Sequence, residues 1–120
     1  MEYGRGEVVI FQRTSITGSE YLIKRVIALP KERIVIKNRK ITIFNKEYPK
    51  GLAVDESRYT PRTTRDVPID VTLKSNEYFV LGDNRPISKD SEIFGPIERE
   101  SIVGRLVFRF FPLERMSFFQ

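Results

Sequence analysis

The chain predicts an all-β fold: antiparallel strands forming a compact, partly closed, barrel-like domain with one small irregular cap. Three observations carry that expectation. No segment keeps apolar residues at spacings of three and four over eleven or more positions, as an amphipathic helix requires. Several short segments instead alternate apolar and polar residues at period two, the pattern of a strand with one buried face. Between them fall Gly, Pro, Asn and Asp, which supply positive φ, fixed φ or local side-chain bonds to turns. At 120 residues and without internal repeats, residues 1–120 are expected to form one domain around a single core.

Taken in order, Glu7 to Gln12 holds four consecutive apolar residues and predicts a strand buried on both faces. Thr14 to Glu20, with Thr17-Gly18-Ser19, predicts a polar turn leading into a second strand from Tyr21 to Pro30. A hairpin of these two strands brings Ile10 near Ile23. At strand period Lys24 shares its face with Leu22, Val26 and Ala28, while Tyr21, Ile23, Arg25 and Ile27 point the other way. A lysine so placed either snorkels from a half-exposed face or is desolvated. In the second case its proton affinity falls from about 10.4 towards the roughly 7 to 8 useful to a general base. Pro30 has no amide proton for a ladder and ends the strand.

Arg33–Lys37 and Lys40–Phe44 alternate Ile34-Ile36 and Ile41-Ile43 with polar residues about Asn38-Arg39, and predict a hairpin. Residues 45–66, with Pro49, Gly51 and Pro61 among many polar residues, predict an irregular excursion, a cap or a flap. Val67 to Leu73 alternates again, and Pro68 marks it as an edge strand. After the turn Lys74-Ser75-Asn76-Glu77, the apolar strand Tyr78-Phe79-Val80-Leu81 launches the polar loop Gly82-Asp83-Asn84-Arg85-Pro86-Ile87-Ser88-Lys89-Asp90-Ser91. Gly82 can take positive φ, Asp83 and Asn84 can bond the backbone ahead, and Pro86 fixes φ, so a rigid site-bearing loop is expected. Its simplest alternative is a surface turn held by an Asp83–Arg85 pair. Beyond Ile93-Phe94-Gly95-Pro96, Glu98 to Ser101 predicts one helical turn and Ile102 to Phe111 a closing strand.

The chain contains no cysteine and no histidine. Disulfides, thiol catalysis, Ser-His-Asp and Cys-His triads, and zinc sites of the usual nitrogen and sulfur type are therefore excluded. Proton transfer falls to Lys, Asp, Glu or Tyr, which favours a lysine base; no metal and no cofactor are expected. The net charge of +5 suits an anionic partner. The basic residues are scattered along the chain and not interleaved with aromatics, so no nucleic-acid partner is expected. No apolar run approaches the roughly 20 residues of a membrane span, and the chain is expected to be soluble or peripheral.

Four stretches together resemble the bacterial type I signal peptidases, the Ser/Lys proteases that remove signal peptides from exported proteins. Arg5-Gly6-Glu7-Val8-Val9-Ile10-Phe11 is similar to that family's Arg-Gly-Asp-hydrophobic strand, and Ile23-Lys24-Arg25-Val26-Ile27 to the strand carrying its catalytic lysine. Gly82-Asp83-Asn84-Arg85 through Ser88-Lys89-Asp90-Ser91 resembles the last conserved box; Ile102-Val103-Gly104-Arg105 with Phe110-Phe111-Pro112-Leu113 resembles the closing strand. The chain departs from the pattern at Ala28, Lys31-Glu32 and Glu92, where the family commonly has glycine, Gly-Asp and arginine.

The resemblance implies Lys24 as general base, Ser88 orienting it, and Asp83, Asn84, Arg85 and Asp90 supporting the loop that carries Ser88. It also implies Ile10 and Ile23 in the shallow pockets for small residues before the cleavage site. The family's nucleophile lies in a Ser-Met-x-Pro segment upstream of the Arg-Gly-Asp strand, and this chain begins four residues before Arg5. None of its eight serines has that context, so the serine is expected to be absent from this chain and residues 1–120 alone inactive. The implied partners are signal peptides and the membrane surface, at the extracytoplasmic face of a bacterial cell membrane. Phe108, Phe110, Phe111, Leu113, Met116, Phe118 and Phe119 fit an interfacial tail. The alternative function is a non-catalytic relative acting as an assembly or binding factor.

Overall fold

A computed structural model describes residues 2–55, 67–83 and 89–106. The period-two patterns become antiparallel strands, and the all-β expectation holds. The chain runs through β1 (Val8–Ser15), β2 (Gly18–Ala28), β3 (Arg33–Lys37), β4 (Lys40–Phe44), β5 (Leu52–Ala53), β6 (Ile69–Thr72) and β7 (Glu77–Leu81). A short helix α1 (Ser91–Phe94), β8 (Ile97–Glu98), a 3₁₀ turn (Arg99–Ser101) and β9 (Ile102–Leu106) follow. One sheet has the order β8-β7-β2-β1-β9 and the other β5-β4-β3-β6.

The β1–β2 hairpin pairs Ile10 with Ile23 and Val9 with Lys24. Its turn is only Ile16-Thr17, tighter than the predicted Thr14 to Glu20. The hydroxyls explain the difference: Thr14 and Ser19 bond across the strands at 3.0 Å, and Ser15 bonds Thr17 at 3.0 Å, so the polar residues stay in register. In the β3–β4 hairpin Asn38 and Arg39 both take positive φ, 53° and 63°, the two-residue turn whose twist matches the strands. β6 is an edge, as Pro68 indicates.

The excursion expected over 45–66 is regular in its first half. Asn45 Oδ1 accepts from the Tyr48 amide at 2.7 Å, and Gly51, at φ 106°, folds the chain back so that β5 pairs with β4. A Cβ at Gly51 would lie 2.8 Å from Thr42 Cγ2 and 3.1 Å from Phe44, which is why the return needs glycine. Residues 56–66, the strand expected over 107–111, and the aromatic tail lie outside the described residues.

Two apolar clusters replace the single expected core. Ile34, Ile36, Ile41 and Ile43 of the four-stranded sheet pack on Ile27, Ala28, Phe79 and Leu81 of the other. On the far side of the five-stranded sheet, Val9, Phe11, Val26, Tyr78 and Val80 pack with Tyr3, Ile97 and Ile102. Alternation along β7 sends Tyr78 and Val80 to one cluster and Phe79 and Leu81 to the other. A register shift in β2 between Val26 and Ala28 puts Ala28 in the same cluster as Ile27. Lys24 therefore shares its face with Leu22 and Val26 but not with Ala28, because a bulge resets the alternation.

Candidate active site

Lys24 lies on β2 with 8% of its surface exposed. Its cross-strand neighbour Val9 and its face neighbour Val26 are fully buried, so the lysine stem rises from a packed face. β7 pairs with β2 only from Arg25 to Ala28, so Lys24 sits where β7 gives way to Gly82-Asp83. From Gly18 to Lys24, β2 has β1 on one side and, among the described residues, no strand on the other. Among the described residues a strand edge without a partner strand thus runs up to the lysine, with backbone donors and acceptors that an extended peptide can match.

Ile10 and Ile23 are half-buried and, by the pleat, occupy the face opposite Lys24, as does Tyr21, which is 64% exposed. They form a shallow apolar shelf beside the open edge. The shelf and the lysine are thus on opposite faces of one strand, reachable from the same edge.

Asp83 makes a bidentate pair with Arg25, at 3.0 Å to Nε and 2.7 Å to Nη2. Arg25 also donates to the Gly6 carbonyl at 2.8 Å. The residue next to Lys24 thereby ties down both the start of the polar loop and the approach to β1. Asp90 is fully buried: its Oδ2 accepts from the Gly82 amide at 2.9 Å, and its Oδ1 from the Glu92 amide at 3.0 Å, capping α1. Ser91 Oγ accepts from the Val80 amide at 2.9 Å. Both described ends of the loop are therefore fastened. Asn84, Arg85 and Ser88 lie outside the described residues.

Three contributors were not legible beforehand. Lys89 bonds Glu20 of β2 at 3.0 Å, and this bond, with Arg13 nearby, holds the Glu20 carboxyl below its ordinary value. Arg5 makes a bidentate bridge to Glu32, at 2.7 and 2.8 Å, and also donates to the Ile27 carbonyl. Glu32 is buried, which alone would raise its pKa, but bonds from Arg5, Asn45 and the Leu29 amide bring it below the usual carboxylate value. The departure at Lys31-Glu32 is accommodated: Lys31 takes φ 70°, and the turn after Pro30 closes on the Glu32 carboxylate. The signal for Glu32 was that departure itself, a carboxylate directly after a proline turn. Among the described residues no group of carboxylates could hold a metal ion. None of their helices is long and apolar enough to cross a membrane.

A family model described as signal peptidase, peptidase S26, matches residues 1–111. The chain is 32% identical over 126 residues to signal peptidase IB of Staphylococcus aureus strain MRSA252, covering 95% of this chain and 64% of that protein. It is 32% identical over 118 residues to a probable signal peptidase I-2 of Synechocystis sp., covering 94% of this chain and 50% of that protein. The chain thus spans between half and two thirds of the length of these relatives. The crystal structure of a signal peptidase I from Enterococcus faecalis V583 shares its fold, with a TM-score of 0.64 and 24% identity over 89% of this chain and 98% of that one.

Proposed function

The chain belongs to the signal peptidase S26 family, and from that premise we propose that it forms the catalytic β-domain of a membrane-associated serine endopeptidase that removes signal peptides from exported proteins. The observation that carries the proposal is the buried Lys24 at the end of an open strand edge. A substrate segment added to that edge in extended form presents alternate side chains to the Ile10–Ile23 shelf, which suits small residues, and carries its scissile carbonyl towards Lys24.

Lys24, held neutral, takes the hydroxyl proton of a serine as the oxygen attacks the carbonyl carbon, and later gives that proton to the leaving amine. The serine is proposed to be one outside the eight in residues 1–120. Ser88 is assigned to orient Lys24, with Asp83, Asn84, Arg85 and Asp90 holding its loop; the Arg25–Asp83 and Asp90–Gly82 bonds support this division of roles. The proposed setting is the extracytoplasmic face of the cell membrane, with signal peptides and the membrane surface as partners.

Two measurements test the assignment. Titration of the isotopically labelled Lys24 side chain should give a value below that of free lysine; one at or above it points to snorkelling and removes the base. Purified residues 1–120 should not cleave a signal-peptide substrate. Turnover that disappears in Lys24→Ala would place the serine within this chain.

A further inference from the structure

Between residues 31 and 50 fall seven basic and two acidic residues, a net of +5, while the other hundred residues carry fourteen of each and sum to zero. The whole net charge of the protein therefore belongs to the β3–β4 hairpin and its flanking turns. All seven cations are exposed. Among the described residues Arg33 alone of the seven has a carboxylate partner, Asp70 at 2.8 Å, and of the two acids Glu32 is buried against Arg5. Among the described residues no carboxylate pairs with Lys31, Lys37, Arg39, Lys40, Lys46 or Lys50.

The fold gathers these cations at two places. Lys37 and Lys40 stand directly opposite each other at the end of the ladder, with Arg39 between them in a left-handed turn. Like charges facing across a ladder repel, and nothing in the hairpin relieves them. At the other end, Lys31 and Lys46 flank the 2.7 Å bond between Glu32 and Asn45. Between the two groups the outer face of the sheet is not polar throughout. Val35 and Phe44 are half-buried there, and Arg33 lies over the Phe44 ring at 5.0 Å. The inner face, Ile34, Ile36, Ile41 and Ile43, is used up by the core.

We propose that the outer face of the β3–β4 hairpin docks on a bilayer surface carrying anionic phospholipid, with Lys37, Arg39 and Lys40 in contact with the headgroups. The ligand class follows from the charge balance: a compact, uncompensated cationic face with apolar side chains set between the cations suits an anionic interface. Single-stranded nucleic acid is left as an outcome of the test below, and the bilayer is favoured because the cations are set around apolar side chains, Val35 and Phe44, on one sheet face. The inference deepens the membrane-surface partner proposed above by naming the face that docks, and it does not depend on the peptidase chemistry, whose residues lie on the other sheet.

Co-sedimentation of residues 1–120 with vesicles tests it. Binding is expected to vesicles of phosphatidylcholine with about a third phosphatidylglycerol, to weaken as salt rises, and to be lost on phosphatidylcholine alone. The triple variant Lys37→Gln, Arg39→Gln, Lys40→Gln should partition roughly a hundredfold less, whereas Lys74→Gln, an exposed cation elsewhere, should fall no more than about tenfold. The single variant Lys40→Glu, whose fold is checked by its thermal midpoint, should lose binding in the same direction. Unchanged binding by the triple variant overturns the proposal, as does equal binding to neutral vesicles. Tighter binding of a short DNA duplex than of anionic vesicles at the same salt would overturn it in favour of nucleic acid. Truncation after Pro112 separates the tail: if that alone abolishes binding, the hairpin is not the docking surface.

Discussion

Glu32 shows how a single side chain can hold two sheets together. Its carboxylate receives bonds from Arg5, which leads into β1, from Asn45 at the end of β4, and from the Leu29 amide after β2. Replacing Glu32 with Gln should cost roughly 2–3 kcal/mol, because the half-buried Arg5 guanidinium loses its counter-charge. Since the folded-state pKa is lowered, this contribution is complete above the ordinary value of 4.5 and is lost as pH falls through the lower folded value. Thermal melts of wild type and Glu32→Gln should therefore differ fully at neutral pH and converge in acid; a constant gap would remove the ionic account. Asp90→Ala should cost about 2–4 kcal/mol by denaturant unfolding, since it removes the α1 cap and strands the buried Gly82 amide. Much of this scale was readable in the sequence. The face of Lys24 with Leu22 and Val26 follows from period two, whereas the partner of Asp83 does not: Arg25 is 58 positions away, and local pairing pointed to Arg85.

At the scale of the element, the hairpins were the most legible parts, because two-residue turns between alternating segments leave few alternatives for register. The exceptions have local causes. Hydroxyl pairs shortened the first turn, Gly51 turned half of an expected loop into β5, and α1 is too short to show periodicity, being made by the Asp90 cap. The bulge in β2 is likewise silent in the sequence, since Ile27 and Ala28 are both apolar and either face could have received them. The β3–β4 turn also makes a prediction. Arg39 holds φ 63°, which costs a non-glycine residue about 1 kcal/mol or more, and it stands beside two facing lysines. Arg39→Gly should raise stability by roughly 0.5–1 kcal/mol in chemical denaturation while weakening vesicle binding. A loss of stability would show that the guanidinium makes a favourable contact in this turn.

At the scale of the whole molecule, the five-stranded sheet is buried on both faces where β2 and β7 pair, and this makes the two clusters one cooperative unit. Phe79 and Val80 are neighbours in the chain yet belong to different cores. Ile34→Ala, in the cluster between the sheets, should cost about 2–5 kcal/mol and accelerate amide exchange in β1 as well as β3. Faster exchange confined to β3 and β4 would mean that the four-stranded sheet opens independently. Two cores were not foreseeable from composition, which fixes how much apolar surface exists and not how a sheet divides it.

Among the described residues no strand pairs with the second side of β2 between Gly18 and Lys24, and this has a consequence for handling the protein. Backbone recognition does not discriminate between a peptide in transit and the corresponding strand of a neighbouring molecule. The same edge that could admit a cleavable segment is therefore a seam along which copies can zip together, and Glu20 with its Lys89 and Arg13 partners marks it with charge. Concentrated, peptide-free solutions should grow sticky as salt screens those charges, and a short extended peptide that occupies the seam should act as a solubiliser.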